Sequence, residues 1–169
     1  MPASSPQVLY TPAQRARRDA TAWTMVQGIL APVQFLIFGI SLYLVLRSLQ
    51  TGEHTDWALA SVVLKTVVLY AIMVTGAIWE KVVFGQYLFA PAFYWEDVVS
   101  MGVMALHTAY VWAWWQGAWS ANDLLWLALA AYGSYAINAA QYIRKLRMAR
   151  LQKQPSSTSL PDTGAQAST

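Results

Sequence analysis

The chain has 169 residues, of which 57% are hydrophobic and 11% are charged, and its formal net charge is +3. The charged fraction lies well below the roughly 25% of an average soluble domain, which indicates lipid as the surrounding solvent. Cysteine is absent, which excludes disulfides, zinc–thiolate sites, iron–sulfur clusters and cysteine nucleophiles.

The N-terminal segment, residues 1–22, is polar and basic. Thr11 followed by Pro12 predicts a helix start, with threonine as the N-cap and proline at the first helical position. The apolar run that follows, residues 23–46, is too long for the core of a secretory signal and predicts an uncleaved first span. At about 1.5 Å per residue it crosses roughly 30 Å of hydrocarbon, and Pro32 inside it predicts a bend.

Three further apolar runs predict spans at about residues 57–80, 97–115 and 124–143. Ser120 or Asn122 is a candidate cap for the last of these helices. Residues 152–169 are mostly small and polar, lack apolar periodicity and are predicted to be disordered. The predicted fold class is therefore an all-α membrane protein, with a four-transmembrane-helix bundle between residues 23 and 151.

The distribution of basic residues predicts the orientation of the bundle. In the four-span arrangement one side holds nine lysines and arginines, and the other side holds Arg47 alone. The positive-inside rule then places both termini and the segment 80–97 in the cytoplasm. We therefore expect a multi-pass protein of the cytoplasmic (inner) membrane. Its basic clusters indicate the orientation of the chain in the membrane and not nucleic-acid binding.

Polar residues within the spans recur at helical spacing, which predicts that they face the bundle interior. They are Gln27, Gln34 and Ser41 in the first span, Glu96, Ser100 and His107 in the third, and Ser134, Asn138, Gln141 and Tyr142 in the fourth. Counted from the cytoplasmic ends, Gln34, Tyr70 and His107 lie about eleven residues deep, or ~16 Å. We predict a cleft that opens to the cytoplasmic leaflet, with carboxylates at its mouth and His107 at its floor. Lys65 is expected to extend toward the opposite side of the membrane.

The segment 80–97 carries acids at both ends and six aromatic residues between them. An aromatic belt at the membrane interface explains such a segment, and so does the wall of a site for a flat ligand. Glu96 and Asp97 have a structural explanation as well, because carboxylates stabilise the start of a helix. Glu80 lies where a helix disfavours negative charge, which indicates either a pairing partner or a functional role.

The polar residues in mid-span also allow two interpretations. His107 is a functional candidate, or else a residue hydrogen-bonded to a neighbouring helix. Gln34 and Asn138 fit interhelical hydrogen bonding at least as well as ligand binding. The sequence contains no P-loop, dinucleotide-binding or metal-site motif, and His107 alone does not make a metal cage.

Three segments of the sequence together resemble one known family. They are RRDATAWTMVQGILAPVQFLIF at residues 17–38, the stretch 63–111 that contains GQYLFAPAFYWED, and YAINAAQYIRKLRMARL at residues 135–151. The resemblance is to the 3-vinyl bacteriochlorophyllide hydratase family and extends over about residues 10–151, with the GQYLFAPAFYWED segment as its most specific part. It implies an integral membrane enzyme of bacteriochlorophyll synthesis in a phototrophic bacterium.

The resemblance further implies a hydro-lyase without a cofactor. Members add water to the C3-vinyl group of chlorophyllide a or 3-vinyl bacteriochlorophyllide a and leave a 3-(1-hydroxyethyl) group. The implied partners are the magnesium tetrapyrrole substrate and membrane lipid; contacts with other bacteriochlorophyll-synthesis enzymes are compatible with it, and nucleic acid is not expected. The alternative function is a non-catalytic carrier or assembly factor for pigment or quinone, built on the same four spans.

Hydration in this sense puts a proton on the terminal vinyl carbon and a hydroxyl on the carbon next to the ring, through a cation that spreads into the macrocycle. The site then needs a proton donor, a base for water and a dry flat pocket, and a buried carboxylic acid is a suitable donor. Position suggests Glu96 as the first choice of donor, Glu80 as the second, and Asp97 as a further catalytic candidate. His107 is either the base for water or the axial ligand of the pigment magnesium.

Six residues are predicted to bind the substrate. Lys81 at the cytoplasmic rim would pair with the free propionate of the pigment, a role for which Arg144 and Lys145 are alternatives. Phe93 and Tyr94 of the aromatic segment would cover the ring. The remaining candidates lie within the predicted cleft: Gln34, Tyr70 and Asn138. Apart from the magnesium of the pigment itself, no metal is expected.

Overall fold

The computed structural model of the chain describes residues 9–151, and within them it contains only helices and their connections. In chain order the helices are α1 (Pro12–Ala20), α2 (Ala22–Thr51), α3 (Thr55–Phe84), α4 (Tyr94–Gln116) and α5 (Ala121–Leu151). The predicted all-α class is confirmed over these residues. The predicted disordered tail, residues 152–169, lies outside the described part of the chain.

The short helix α1 begins as predicted, at Thr11 and Pro12. The Thr11 hydroxyl accepts a hydrogen bond from Gln14 N at 3.2 Å, and Gln14 Oε1 accepts one from Thr11 N at 2.9 Å, so two free amides of the first turn are satisfied. Thr21 is extended (φ −87°, ψ 136°); it ends α1 and caps α2. α1 is therefore a separate helix that packs against α3, where the sequence alone indicates only a polar basic segment.

α2 and α3 form an antiparallel hairpin joined at Gly52, and each is 30 residues long. Gly52 adopts the left-handed conformation (φ 72°) that ends many helices and that glycine tolerates best. Within residues 9–151 these are the two helices that are long and apolar enough to cross a membrane. Two candidate spans are therefore shown, whereas four spans with both termini in the cytoplasm stay a prediction.

α4 and α5 form a second hairpin, and α5 also packs against α2 and α3. Ser120 caps α5, because its hydroxyl accepts a hydrogen bond from Asp123 N at 3.2 Å. The Ser41 hydroxyl hydrogen-bonds with Ser61 and with Tyr132, and so joins α2, α3 and α5. Small and branched apolar side chains fill the core at this end of the bundle, among them Val45, Ala58, Val62 and Ala128.

The bundle is apolar outside and polar inside. Large apolar side chains point outward, and Leu36 and Trp115 are 65% and 80% exposed. The predicted polar faces point inward instead: Gln34, Ser100 and His107 are buried. Helices in lipid show this distribution, since polar groups there turn toward the protein interior. The prediction that these three residues face inward is confirmed.

The expectation for Lys65 is wrong. Its side chain does not extend toward a membrane surface; it is fully buried, and its Nζ lies 3.7 Å from the centroid of the Tyr135 ring. The physical reason is its position on the face of α3 that turns toward α5, where the ammonium group gains a cation–π contact.

Candidate functional site

Two carboxylic acids meet where α3 ends and α4 begins. Glu80 lies near the end of α3 and Asp97 in the first turn of α4, and both are buried, with 4% and 1% of their surface exposed. Their carboxyl groups lie within hydrogen-bonding range of each other. Since a carboxylate only accepts hydrogen bonds, a bond between the two requires that one of them carries a proton. We refer to Glu80 and Asp97 as the acid pair.

The connection between α3 and α4, residues 85–93, is bound to the acid pair through its backbone. The Phe89 amide donates to Asp97 Oδ2 at 2.7 Å, and the Ala90 amide donates to Glu80 Oε2 at 3.3 Å. Phe89 has φ 60°, a left-handed conformation that a bulky residue rarely adopts. Such a turn directs successive amides to one side, where they bind negatively charged groups. The two acids therefore hold the connection in place.

Five aromatic side chains, which we call the aromatic cover, pack together over the acid pair: Tyr10, Trp79, Phe84, Phe93 and Tyr142. Phe93 lies at the centre, stacked on Tyr142 with 6.1 Å between ring centroids. Trp79 and Phe84 meet Phe93 edge-on at 5.7 Å and 5.8 Å, and Tyr10 stacks on Phe84 at 5.8 Å. The cover thus joins the segment before α1 to α3, α4 and α5.

The two tyrosine hydroxyls of the cover have different surroundings. The Tyr142 hydroxyl donates to Asp97 Oδ1 at 3.3 Å, which ties the cover to the acid pair. Burial raises the pKa of the Tyr10 hydroxyl, an effect that the Arg18 guanidinium, 4.8 Å from the ring centroid, offsets only in part. Tyr10 therefore stays a neutral phenol well beyond neutral pH.

Glu96, the first choice of proton donor from the sequence, is ion-paired. Its Oε2 lies 2.5 Å from Lys145 Nζ of α5, and the two side chains are largely buried. Lys145 Nζ also lies 5.0 Å from the centroid of the Phe93 ring. Glu96 is therefore engaged in a tie between α4 and α5, and the same bond occupies Lys145, one of the cations considered for the pigment propionate.

His107 lies deeper in the bundle than the acid pair. It is fully buried, its Nδ1–H donates to the Val103 carbonyl oxygen at 2.9 Å, and its ring lies 6.0 Å from the Tyr132 ring. Its position ten residues after Asp97 on α4 corresponds to about 15 Å along the helix axis. A group at the acid pair is therefore out of direct reach of the imidazole.

The residues predicted to bind the substrate are dispersed. Phe93 belongs to the aromatic cover, whereas Tyr94 is about half exposed. Lys81 Nζ donates to the Gly85 carbonyl at 2.8 Å, at the end of α3. Tyr70 lies on the outer face of the bundle, 39% exposed, and hydrogen-bonds with a threonine of α4.

Two of the predicted binding residues lie in the interior instead. Gln34 and Asn138 are buried, and Asn138 Nδ2 donates to Ser100 Oγ at 2.8 Å. Arg144 lies exposed on α5, next to the ion-paired Lys145. The structure thus brings together Glu80, Asp97 and Phe93, and it links Asn138 to their neighbourhood through Ser100, one turn after Asp97.

Two surface clefts lie away from the acid pair. One is lined by Trp119 and Trp126 near the start of α5, and the other runs between α3 and α4 along Tyr70 and Trp112. The acid pair itself is buried, and the Tyr142 ring of the aromatic cover contacts it through the hydroxyl. Among residues 9–151, no three histidine or acidic side chains are grouped closely enough to hold a metal ion.

Sequence reasoning missed most partners of the acids. The amides of Phe89 and Ala90 are backbone groups and leave no signature in the sequence. Lys145 stands within a basic cluster that the positive-inside rule already explains, so the sequence does not single it out as the partner of Glu96. Tyr142 did have a signal, because it follows Asn138 by four residues on the predicted polar face of α5.

Comparison with known proteins identifies close relatives. The family model described as 2-vinyl bacteriochlorophyllide hydratase matches residues 10–148. A curated protein of that name from Rhodobacter capsulatus is 64% identical over 148 residues, which cover 88% of this chain and 86% of the relative. One from Cereibacter sphaeroides is 65% identical over 150 residues, or 89% of this chain and 93% of the relative. No solved structure matches the chain.

Proposed function

The chain belongs to the 2-vinyl bacteriochlorophyllide hydratase family, and on that basis we propose that it is a hydro-lyase of bacteriochlorophyll biosynthesis. It adds water to a vinyl group of a magnesium tetrapyrrole and produces a 1-hydroxyethyl group. The vinyl group numbered 2 in the family name is the one numbered 3 above. The substrates are chlorophyllide a and 3-vinyl bacteriochlorophyllide a.

The acid pair supplies both proton transfers of the hydration. The carboxyl of the pair that carries the proton gives it to the terminal vinyl carbon, and the resulting cation spreads into the macrocycle. Water then attacks the carbon next to the ring, and the carboxylate of the pair takes one of its protons. The pair ends with one proton, as it began, so one molecule of water is added and no cofactor is consumed. The contact between Glu80 and Asp97 carries this assignment.

The geometry changes the order of the catalytic candidates. Glu96 is engaged with Lys145, and we assign it to positioning α4 against α5 instead of to proton transfer. His107 lies about 15 Å deeper along α4 than Asp97, which separates it from a water molecule held at the acid pair.

The substrate approaches the acid pair from the side of the aromatic cover. Phe93 and Tyr94, one within the cover and one beside it, then contact the face of the macrocycle. Lys81 is exposed at the same end of the bundle and pairs with the free propionate of the pigment. Tyr70 lies on the outer face of the bundle and is not assigned to the substrate, whereas Asn138 is joined to the neighbourhood of the pair through Ser100.

All four long helices cross the cytoplasmic membrane of a phototrophic bacterium, with both termini and the acid pair on the cytoplasmic side. The support for α4 and α5 is that they pack in one bundle with α2 and α3 and expose comparable apolar surface, as at Trp112 and Ile137. The support for the orientation is the count of nine basic residues on one side against Arg47 on the other.

Turnover by the purified full-length protein in lipid nanodiscs tests the proposal. Mass spectrometry follows the gain of one water by the vinyl pigment. Glu80→Gln and Asp97→Asn should each lower kcat by roughly 100-fold or more. The matched control is Glu53→Gln, an exposed acid in the α2–α3 turn, which should turn over like the wild type. Wild-type turnover by both acid-pair variants would refute the assignment, and a wild type that binds pigment without converting it would favour a carrier.

A further inference from the structure

Side-chain polar atoms are buried without partners in the middle of the bundle. Five of them have no hydrogen-bond partner among the described residues: Gln34 Oε1, Lys65 Nζ, His107 Nε2, Asn138 Oδ1 and Gln141 Oε1. They come from all four long helices. Buried polar groups are nearly always hydrogen-bonded, to the protein or to ordered water, so a set of five calls for a common explanation.

Three of these residues converge at the level of Tyr135. Lys65 Nζ lies over the Tyr135 ring, and the Gln34 side chain is close enough to the Tyr135 hydroxyl to act on it electrostatically. His107 is close enough to Lys65 for the ammonium group to act on it electrostatically. An amine, an amide oxygen and an imidazole nitrogen thus surround one small region, and an aromatic face closes one side of it.

The other two residues connect this region to the acid pair. Asn138 donates to Ser100, which follows Asp97 by one turn of α4. Tyr142 follows Asn138 by one turn of α5 and donates to Asp97. Gln141 precedes Tyr142 on the same helix. Polar groups therefore continue from mid-bundle to the acid pair along the facing sides of α4 and α5.

We propose that these five atoms line a column of ordered water molecules, which begins at Lys65, Gln34 and His107 and ends at the acid pair. The mixture of groups selects water as the ligand. A cation would meet the ammonium of Lys65, and an anion would meet three amide oxygens, whereas water both donates and accepts. Two to four polar partners for each water is the usual arrangement in protein interiors.

The role of the column rests on the proposed hydratase function: it delivers the water that the reaction consumes. The aromatic cover and the incoming macrocycle occupy one side of the acid pair. Water that arrives from mid-bundle reaches Asp97 along the facing sides of α4 and α5, past Ser100 and the Tyr142 hydroxyl. The column also supplies a new water molecule to the pair after each turnover, past Asn138 and Ser100.

Hydroxyl-radical footprinting of the wild-type protein in nanodiscs tests the column without reference to activity. Radiolysis of bound water oxidises the aromatic rings that touch it, even when they are buried. Tyr135 should therefore be labelled several-fold faster than Tyr110, which is also buried but bonds to the Leu59 carbonyl within the apolar core. Equal labelling of the two tyrosines would overturn the column.

A pair of variants on α3 tests the delivery of water. Lys65→Met removes the ammonium while keeping the shape of the chain, and should lower both the labelling of Tyr135 and kcat several-fold, with KM unchanged. Thr66→Val is the matched control, because Thr66 is equally buried but its hydroxyl bonds to its own helix at Val62. It should leave both quantities at the wild-type level.

The outcomes separate the two proposals. Reduced labelling of Tyr135 in Lys65→Met with wild-type kcat would overturn delivery and keep the column. Reduced labelling together with reduced kcat supports both. A wild type that shows the labelling difference but never hydrates the pigment would overturn the proposed function, and the column would stand as a property of the bundle.

Discussion

Lys145 of α5 and Glu96 of α4 form an ion pair, with 2.5 Å between Nζ and Oε2, although 49 positions separate them in the chain. Their side chains are 22% and 10% exposed, so water shields the pair only in part. Because the bond lies beside Phe93 and next to the acid pair, it fixes the angle at which α5 presents Tyr142 to Asp97.

Removing one charge of this ion pair should destabilise the protein more than removing both charges. Lys145→Met leaves the Glu96 carboxylate largely buried without its cation, and we expect the free energy of unfolding to fall by up to about 3 kcal/mol. Adding Glu96→Gln removes that charge and should recover part of the loss. Denaturant unfolding in a single detergent measures both variants; a double variant as unstable as Lys145→Met would argue against the tie.

A variant of Glu96 tests whether this residue positions α4 or donates the proton. Glu96→Gln alone should keep turnover within a few-fold of the wild type, since in the proposed mechanism the proton comes from the acid pair. The assay is the mass gain of one water by the pigment, run beside Glu80→Gln. A loss as large as that of Glu80→Gln would return Glu96 to the role of proton donor.

Removing the hydroxyl of Tyr142 should slow the reaction and leave the fold intact. Tyr142→Phe keeps the stacking on Phe93 but deletes the donor to Asp97. A hydrogen bond to a charged group contributes about 1.5–3 kcal/mol, so kcat should fall by about tenfold or more. Tyr43→Phe is the control, because that exposed hydroxyl bonds only to Arg47 among the described residues. Unchanged kcat in Tyr142→Phe would show that the donor is dispensable.

The left-handed backbone conformation of Phe89 predicts different effects for two substitutions at this position. Both Phe89→Gly and Phe89→Val remove the ring contact with Tyr94, which is 5.8 Å between centroids. Glycine adopts φ 60° freely, whereas a β-branched residue is strained there by about 1–3 kcal/mol. We expect limited proteolysis within residues 85–93 to be faster in Phe89→Val than in Phe89→Gly. Equal rates would mean that the left-handed turn does not hold the connection.

Docking of the N-terminal segment should weaken in alkali because of Tyr10. Its pKa is raised above the ordinary 10.0 by burial, so the folded protein favours the neutral phenol. The stabilisation is fully present below pH 10.0 and is lost as the pH rises through the folded pKa. Proteolysis of α1 should accelerate across that range in the wild type and less so in Tyr10→Phe. Identical pH profiles would exclude Tyr10 as the titrating group.

The helices and their inward faces were predictable because both follow from local periodicity. Thr11 and Pro12 mark the start of α1, and the spacing of Gln34 and His107 within their helices predicts their burial. Such patterns depend on 3.6 residues per turn and need no knowledge of neighbouring helices.

The pairing of the acids was not predictable, since it depends on how two helices are rotated and offset. Glu80 meets Asp97 while the adjacent Glu96 turns to Lys145, and nothing in the sequence specifies which acid faces which partner. Lys65 shows the same limit: a long cation within an apolar helix is expected to extend toward water, but α5 places the Tyr135 ring beside it.

One extended residue, Thr21, joins α1 to α2. Tyr10, which lies just before α1, forms one edge of the aromatic cover, while α2 belongs to the packed bundle. Rotation about Thr21 would lift that edge only by breaking the contacts of α1 with α3 and the hydrogen bond from Thr24 Oγ1 to the Arg18 carbonyl, and it would leave the long helices packed. An N-terminal fusion that immobilises this short helix would then slow the binding of a rigid ligand while sparing the fold.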